Sequence, residues 1–170
     1  YQTDSFRVYI PNGALYDDLD FEYEYKNNVK FYSGVHVAHN FTVPLHKAAT
    51  FSILCNKTPT NPDKVVVISQ HKKYKSYMVG KYINGWVNFN TRYFGTFIIS
   101  EDVKAPSIKS LNVSNGKNVS NQKTLMFKIT DDKSGIKSYK GYINGKWVLF
   151  EYDYKKKRLT HVFDGKHKKG

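Results

Sequence analysis

The side chains of this 170-residue chain that could do chemistry lie in small, scattered groups. His36-Val37-Ala38-His39 is the closest pair of imidazoles. A zinc site needs at least a third ligand at matched spacing, and none stands nearby, so packed or loop histidines are the other use of this pair. Asp17-Asp18-Leu19-Asp20 with Glu22 collects carboxylates of the hard-oxygen type that calcium takes several at a time. The regular spacing of a calcium loop is missing, which leaves a solvated acidic turn as the alternative. Asp131-Asp132 with Ser134 is similar, and short polar side chains of this kind suit a turn that hydrogen-bonds its own backbone. Cys55 stands alone at the end of Phe51-Ser52-Ile53-Leu54-Cys55, so no internal disulfide can form. With no cation beside it to lower its pKa, it reads as a small core residue on a strand. Serine, histidine and aspartate form no nucleophile signature. The expectation is a binding, docking or spacer segment, with no catalytic residue and no metal ligand in this chain.

Two further groups could carry interactions. Lys155-Lys156-Lys157-Arg158 follows Tyr152 and Tyr154 at an expected hairpin tip. Basic residues interleaved with aromatics can grip phosphates and stack on bases, or meet an anionic glycan or lipid headgroup; a charged tip also simply keeps a hairpin soluble. No recognised nucleic-acid motif accompanies them, so nucleic acid is not the expected partner. Trp86 and Trp147 follow two near-repeats, Tyr82-Ile83-Asn84-Gly85-Trp86-Val87 and Tyr142-Ile143-Asn144-Gly145-Lys146-Trp147-Val148. Each tryptophan could stack on a sugar ring or could anchor the core of its own module.

The elements that must position these groups read as strands throughout. Asn-Gly between apolar residues is a hairpin signal, because a type I′ turn needs positive φ at both central positions. Its recurrence suggests two β-modules in series. In the first, Phe6-Arg7-Val8-Tyr9-Ile10 alternates and breaks at Pro11-Asn12-Gly13, while Phe21 to Lys26 places three aromatics on one face and Glu22, Glu24 and Lys26 on the other. Further strands are expected at residues 51–55, 64–69, 85–90 and 91–100; Val65-Val66-Val67-Ile68, apolar on both faces, suits a central strand covered on both sides. In the second, strands are expected at 107–113, 124–130, 136–142, 146–152 and 159–163, a spacing that points to an immunoglobulin-like sandwich. No amphipathic helix stands out. The fold expected is all-β, two tandem β-sandwich modules at 1–101 and 107–170 joined by a linker at 102–106, where Pro106 cannot donate to a ladder.

Composition agrees with a folded β protein. The hydrophobic share is 40% and aromatics make up 16%, with 14 Tyr and 11 Phe, enough for a core and suited to pleated surfaces. No stretch approaches the roughly 20 consecutive apolar residues that span a bilayer, and no signal-peptide pattern opens the chain. It begins at Tyr1 without Met, as a processed product or a piece of something longer would. The net charge of +13 is lopsided: residues 1–102 carry 11 Lys and Arg against 9 Asp and Glu, and residues 103–170 carry 16 against 5. Such a basic field attracts polyanions or serves plain solubility. After Phe163 the tail Asp164 to Gly170 leaves a sandwich wanting another strand, and the expectation is that the protein continues.

Several stretches together resemble a known family. Ile10-Pro11-Asn12-Gly13-Ala14-Leu15-Tyr16-Asp17-Asp18, Val43 to Lys47, Gly80 to Trp86 and Arg92 to Phe97 are similar to the accessory region that follows the catalytic domain in lysostaphin-type zinc peptidases of Bacteroidetes. Asp131 to Tyr139 and Gly145 to Asp153 are similar to the immunoglobulin-like repeat that closes those proteins. The resemblance implies a periplasmic or outer-membrane-associated envelope protein that works with peptidoglycan or envelope proteins, with a catalytic domain and its zinc upstream. The zinc ligands of that family, a His with an Asp four residues on and a later His-x-His, do not occur here, so no catalytic residue carries over. An inactive homologue serving as a subunit of an outer-membrane complex, and a peptidoglycan or glycan binding module, are the alternatives.

Overall fold

The computed structural model describes residues 1–163 and Gly165. The chain divides into two compact units, Tyr1–Val103 and Lys104–Gly170, and both are all-β. The division falls inside the 102–106 segment where charge and Pro106 mark a joint in the sequence. The tail Asp164 to Gly170, after which the protein is expected to continue, lies outside the described residues apart from Gly165.

The first unit runs β1 (Phe6–Tyr9), β2 (Tyr23–Lys26), β3 (Val35–Ala38), β4 (Pro44–Leu54), a 3-10 turn at Pro62–Lys64, β5 (Val65–His71), β6 (Tyr74–Val79), β7 (Lys81–Ile83), β8 (Trp86–Tyr93) and β9 (Gly95–Glu101). These make two antiparallel sheets, β1-β4-β8-β7 and β2-β3-β9-β5-β6. Their inner faces meet in one core: Phe6, Val8, Phe51, Ile53, Val87 and Phe89 from the first sheet pack on Ala38, Val65, Val67, Phe97 and Ile99 from the second. Aromatic rings join the layers, with Phe51 and Phe89 at 5.2 and 5.1 Å from Phe97 between centroids. This is a β-sandwich, its strands alternating inward apolar and outward polar side chains.

Val65, Val66, Val67 and Ile68 are all buried on β5, which β9 and β6 flank, as expected of a doubly covered strand. The break expected between Asn90 and Thr91 falls instead at Phe94. Pairing with β4, including Ala49 with Thr91, carries β8 through to Tyr93, and Gly95 turns the chain into β9 at φ 138°. β2 is shorter than its pattern and forms an edge, so Tyr25 is only partly covered.

The second unit holds β10 (Ser107–Ser110), β11 (Thr124–Thr130), β12 (Gly141–Ile143), β13 (Lys146–Val148), β14 (Glu151–Asp153) and β15 (Arg158–Val162). They form the sheet β10-β11-β15-β14 and the hairpin β12-β13. The strand expected at 146–152 is interrupted at Leu149 and Phe150 and becomes two. Both Asn-Gly turns have positive φ at both central residues, 48° and 87° at Asn84 and Gly85, 50° and 75° at Asn144 and Gly145.

Candidate binding face

Inward residues of the β1-β4-β8-β7 sheet are consumed by the core, which leaves the other face turned to solvent. Strand alternation sends Arg7 and Tyr9 of β1, Thr50, Ser52 and Leu54 of β4, Trp86, Asn88, Asn90 and Arg92 of β8, and Lys81 and Ile83 of β7 outward. Strand register arranges them in rows. Tyr9, Thr50 and Asn90 are neighbours; so are Arg7, Ser52, Asn88 and Lys81, which cross all four strands over about 14 Å at the usual strand spacing. Leu54, Trp86 and Ile83 make the third row. Ser52 Oγ donates to Asn88 Oδ1 at 2.6 Å, and the Arg7 guanidinium sits 4.0 Å from the centre of the Trp86 ring. A shallow recess of about 550 Å3 opens beside Arg7, with Tyr9, Thr50 and Ser52 in its lining.

The chemistry of this face is that of hydrogen bonding to hydroxyls and carboxylates. Arg7, Lys81 and Arg92 supply charge, the amides of Asn88 and Asn90 and the hydroxyls of Ser52, Thr50 and Tyr9 supply directional partners, and none of these eleven outward side chains is acidic. A guanidinium grips a carboxylate through two parallel N–H bonds, which a lysine cannot do.

The two tryptophans are not equivalent. Trp86 directly follows Gly85 and pairs with Ile83, whereas Lys146 is inserted before Trp147, which pairs with Tyr142. With a side-chain period of two, one inserted residue puts the two indoles on opposite faces of their hairpins. Neither anchors a core: Trp86 is half-buried beneath Arg7, and Trp147 is 62% exposed beside Tyr142, itself 59% exposed. Trp147 belongs to the second unit, as do Lys155, Lys156 and Lys157, which are exposed on the turn between β14 and β15. Arg158 opens β15 opposite Lys128 and Asp153. The backbone N–H of Lys156, then the Lys156 ammonium and the Arg158 guanidinium nearby, hold the Asp153 carboxyl below its ordinary value.

Other chemistry-bearing groups have structural roles. His36 is fully buried on β3; its Nδ1 meets the Tyr23 hydroxyl at 2.8 Å and its ring stacks on Phe6. Burial lowers its pKa to about 4. His39 sits at φ 55° after β3, takes the Glu22 backbone N–H on Nδ1, and packs on Phe21 and Phe94. Among the described residues the carboxylates of Asp17, Asp18, Asp20 and Glu22 do not gather within reach of a common ion. Asp131 Oδ1 accepts the backbone N–H groups of Lys133 and Gly135, closing the turn expected of it. Burial pushes the Cys55 thiol up to about 11, which keeps it an inert packing group against the core.

The outward row through Arg7 escaped sequence reading because its members lie on strands far apart in the chain. Alternation within Trp86-Val87-Asn88-Phe89-Asn90-Thr91-Arg92 was the available signal.

Comparison with known proteins finds that residues 1–102 match the family described as the Zu5-like domain. No curated protein and no solved structure matches the chain.

Proposed function

The chain belongs to the Zu5-like domain family through residues 1–102, and on that premise we propose that it is a docking segment of a cell-envelope protein, holding an acidic, hydroxyl-rich polymer such as peptidoglycan on the outer face of the β1-β4-β8-β7 sheet. The observation that carries the reading is the composition of that face: three cations, two rows rich in hydroxyls and amides beside an apolar row of Leu54, Trp86 and Ile83, and no carboxylate among its outward side chains. Binding there is a matter of many exchangeable hydrogen bonds and a positive field, as befits tethering and spacing rather than turnover. The wider setting, an accessory part of a lysostaphin-type endopeptidase homologue with any zinc held elsewhere, is supported by the resemblance of the motifs from Ile10 to Phe97 and from Asp131 to Asp153.

Co-sedimentation of the 170-residue chain with purified peptidoglycan sacculi tests it. Retention that falls at least tenfold in Arg7→Ala/Lys81→Ala, with folding unchanged by circular dichroism, is the expected result. No retention, or retention indifferent to those substitutions, overturns the reading.

A further inference from the structure

The sheet β2-β3-β9-β5-β6 has an outer face of its own, on the far side of the shared core from the face that carries Arg7. The alternation that sends Val65, Val67, Phe97 and Ile99 into the core sends Ile68 and Gln70 of β5, and Thr96 and Ile98 of β9, the other way. Register sorts them into two rows. Gln70 lies between Thr96 and Lys75 of β6, a polar row; Ile68 pairs with Ile98, and both are buried. The rows stand two residues apart along each strand, about 7 Å.

The segment between β2 and β3 brings Phe31 and Asn28 to this face, and Val35 of β3 joins Ile68 and Ile98 in an apolar floor. A recess of about 550 Å3 opens there, within the roughly 300–1,000 Å3 of small-molecule sites. None of its lining residues is acidic, while Lys75 and Lys72, the latter on the turn between β5 and β6, both line it. Both lysines are exposed, and among the described residues neither enters an ion pair. Lys72 has φ 51°, with its carbonyl held by Gln70 Nε2 at 3.3 Å. Glycine or asparagine takes that left-handed backbone more cheaply, so the turn keeps a cation at the recess against its own local preference.

We infer that this recess binds a small molecule with a flat apolar ring and one anionic headgroup. The ring lies on Ile68 and Ile98 against Phe31, and the headgroup meets Lys72 and Lys75 with the Thr96 hydroxyl donating to it. A lysine ammonium is a point charge without a fixed fork, so a carboxylate and a phosphate ester share the required chemistry. A bare inorganic anion leaves the floor unused, and a neutral ring leaves the lysines unused.

The full chain is titrated with naphthoate, naphthyl phosphate, the neutral naphthylmethanol and acetate, followed by amide NMR spectra. We expect one or both ring anions to bind at least tenfold more tightly than naphthylmethanol or acetate, with shifts at Phe31, Ile68, Thr96 and Ile98; the tighter anion identifies the headgroup. Lys72→Gly suits the left-handed turn and keeps the fold. Combined with Lys75→Ala it should bring the anion's affinity down to that of the alcohol, whereas Phe31→Ala should weaken both alike. Equal affinity for anion and alcohol, no binding of either anion, shifts confined to other residues, or an affinity indifferent to the lysine substitutions overturns the inference. Retention on sacculi is expected to be unchanged in the lysine variant, so the two faces are tested separately.

Discussion

His36 shows what one buried base does to a sandwich of this kind. Its ring is held between Phe6 and the Tyr23 hydroxyl, and its Nε2 meets no hydrogen-bond acceptor among the described residues, so a proton on the imidazole would be a buried, unbalanced charge. The folded state therefore lowers the pKa from 6.5 to about 4. Between those values the unfolded chain binds the proton and the folded chain does not. Stability is thus complete above pH 6.5 and declines as pH falls to about 4, where the loss levels off at roughly 3 kcal/mol. Urea melts at pH 7, 5.5 and 4 should show this decline in the first unit, and His36→Gln, less stable at pH 7, should show a shallower one. An equal slope in the variant would assign the acid sensitivity to other groups.

At the scale of strands and turns, Gly80 lies where β6 hands the chain to β7 and so from one sheet to the other. A Cβ there would come 2.4 Å from Val87 Cγ1 and 3.2 Å from Val67 Cγ2, both on fully buried residues. Gly80→Ala should cost about 1–3 kcal/mol by overpacking, read as a lower urea midpoint at unchanged slope. Which elements could be read from sequence follows the same packing logic. β11 matches its expected bounds because Leu125, Phe127 and Ile129 alternate cleanly, whereas β5 was legible from its apolar opening Val65 to Ile68 and runs past the expected end at Ser69 through Gln70 and His71. β3 escaped because its inward residues are a histidine, which looks polar on paper, and the small Ala38, and β6 because an exposed edge strand needs no apolar face. The turns at Asn84-Gly85 and Asn144-Gly145 were legible from backbone chemistry alone, whereas the direction of the indole after each depended on one lysine. The candidate face was legible strand by strand and illegible as a face, since the register that sets Arg7 beside Ser52 and Asn88 is a long-range property.

Over the molecule as a whole, the two units divide packing and charge unequally. The first holds the aromatic core; the second holds, among the described residues, three buried apolar side chains, and it carries most of the positive charge. Calorimetry should therefore show two transitions, the lower one shifting up in temperature as salt relieves the self-repulsion of the second unit. A single transition with no salt dependence would contradict this. The same division has an optical side. The chain has two tryptophans, one in each unit, and their surroundings differ in kind: a guanidinium roofs Trp86, while Trp147 stands in water within a cationic field. Cations stand beside both indoles, but the exposed Trp147 meets an anionic quencher such as iodide more readily than Trp86 does beneath its guanidinium. The emission of the unlabelled protein thus separates into two colours, each reporting on one unit, and a guest that lifts Arg7 from its ring announces itself in the first colour alone.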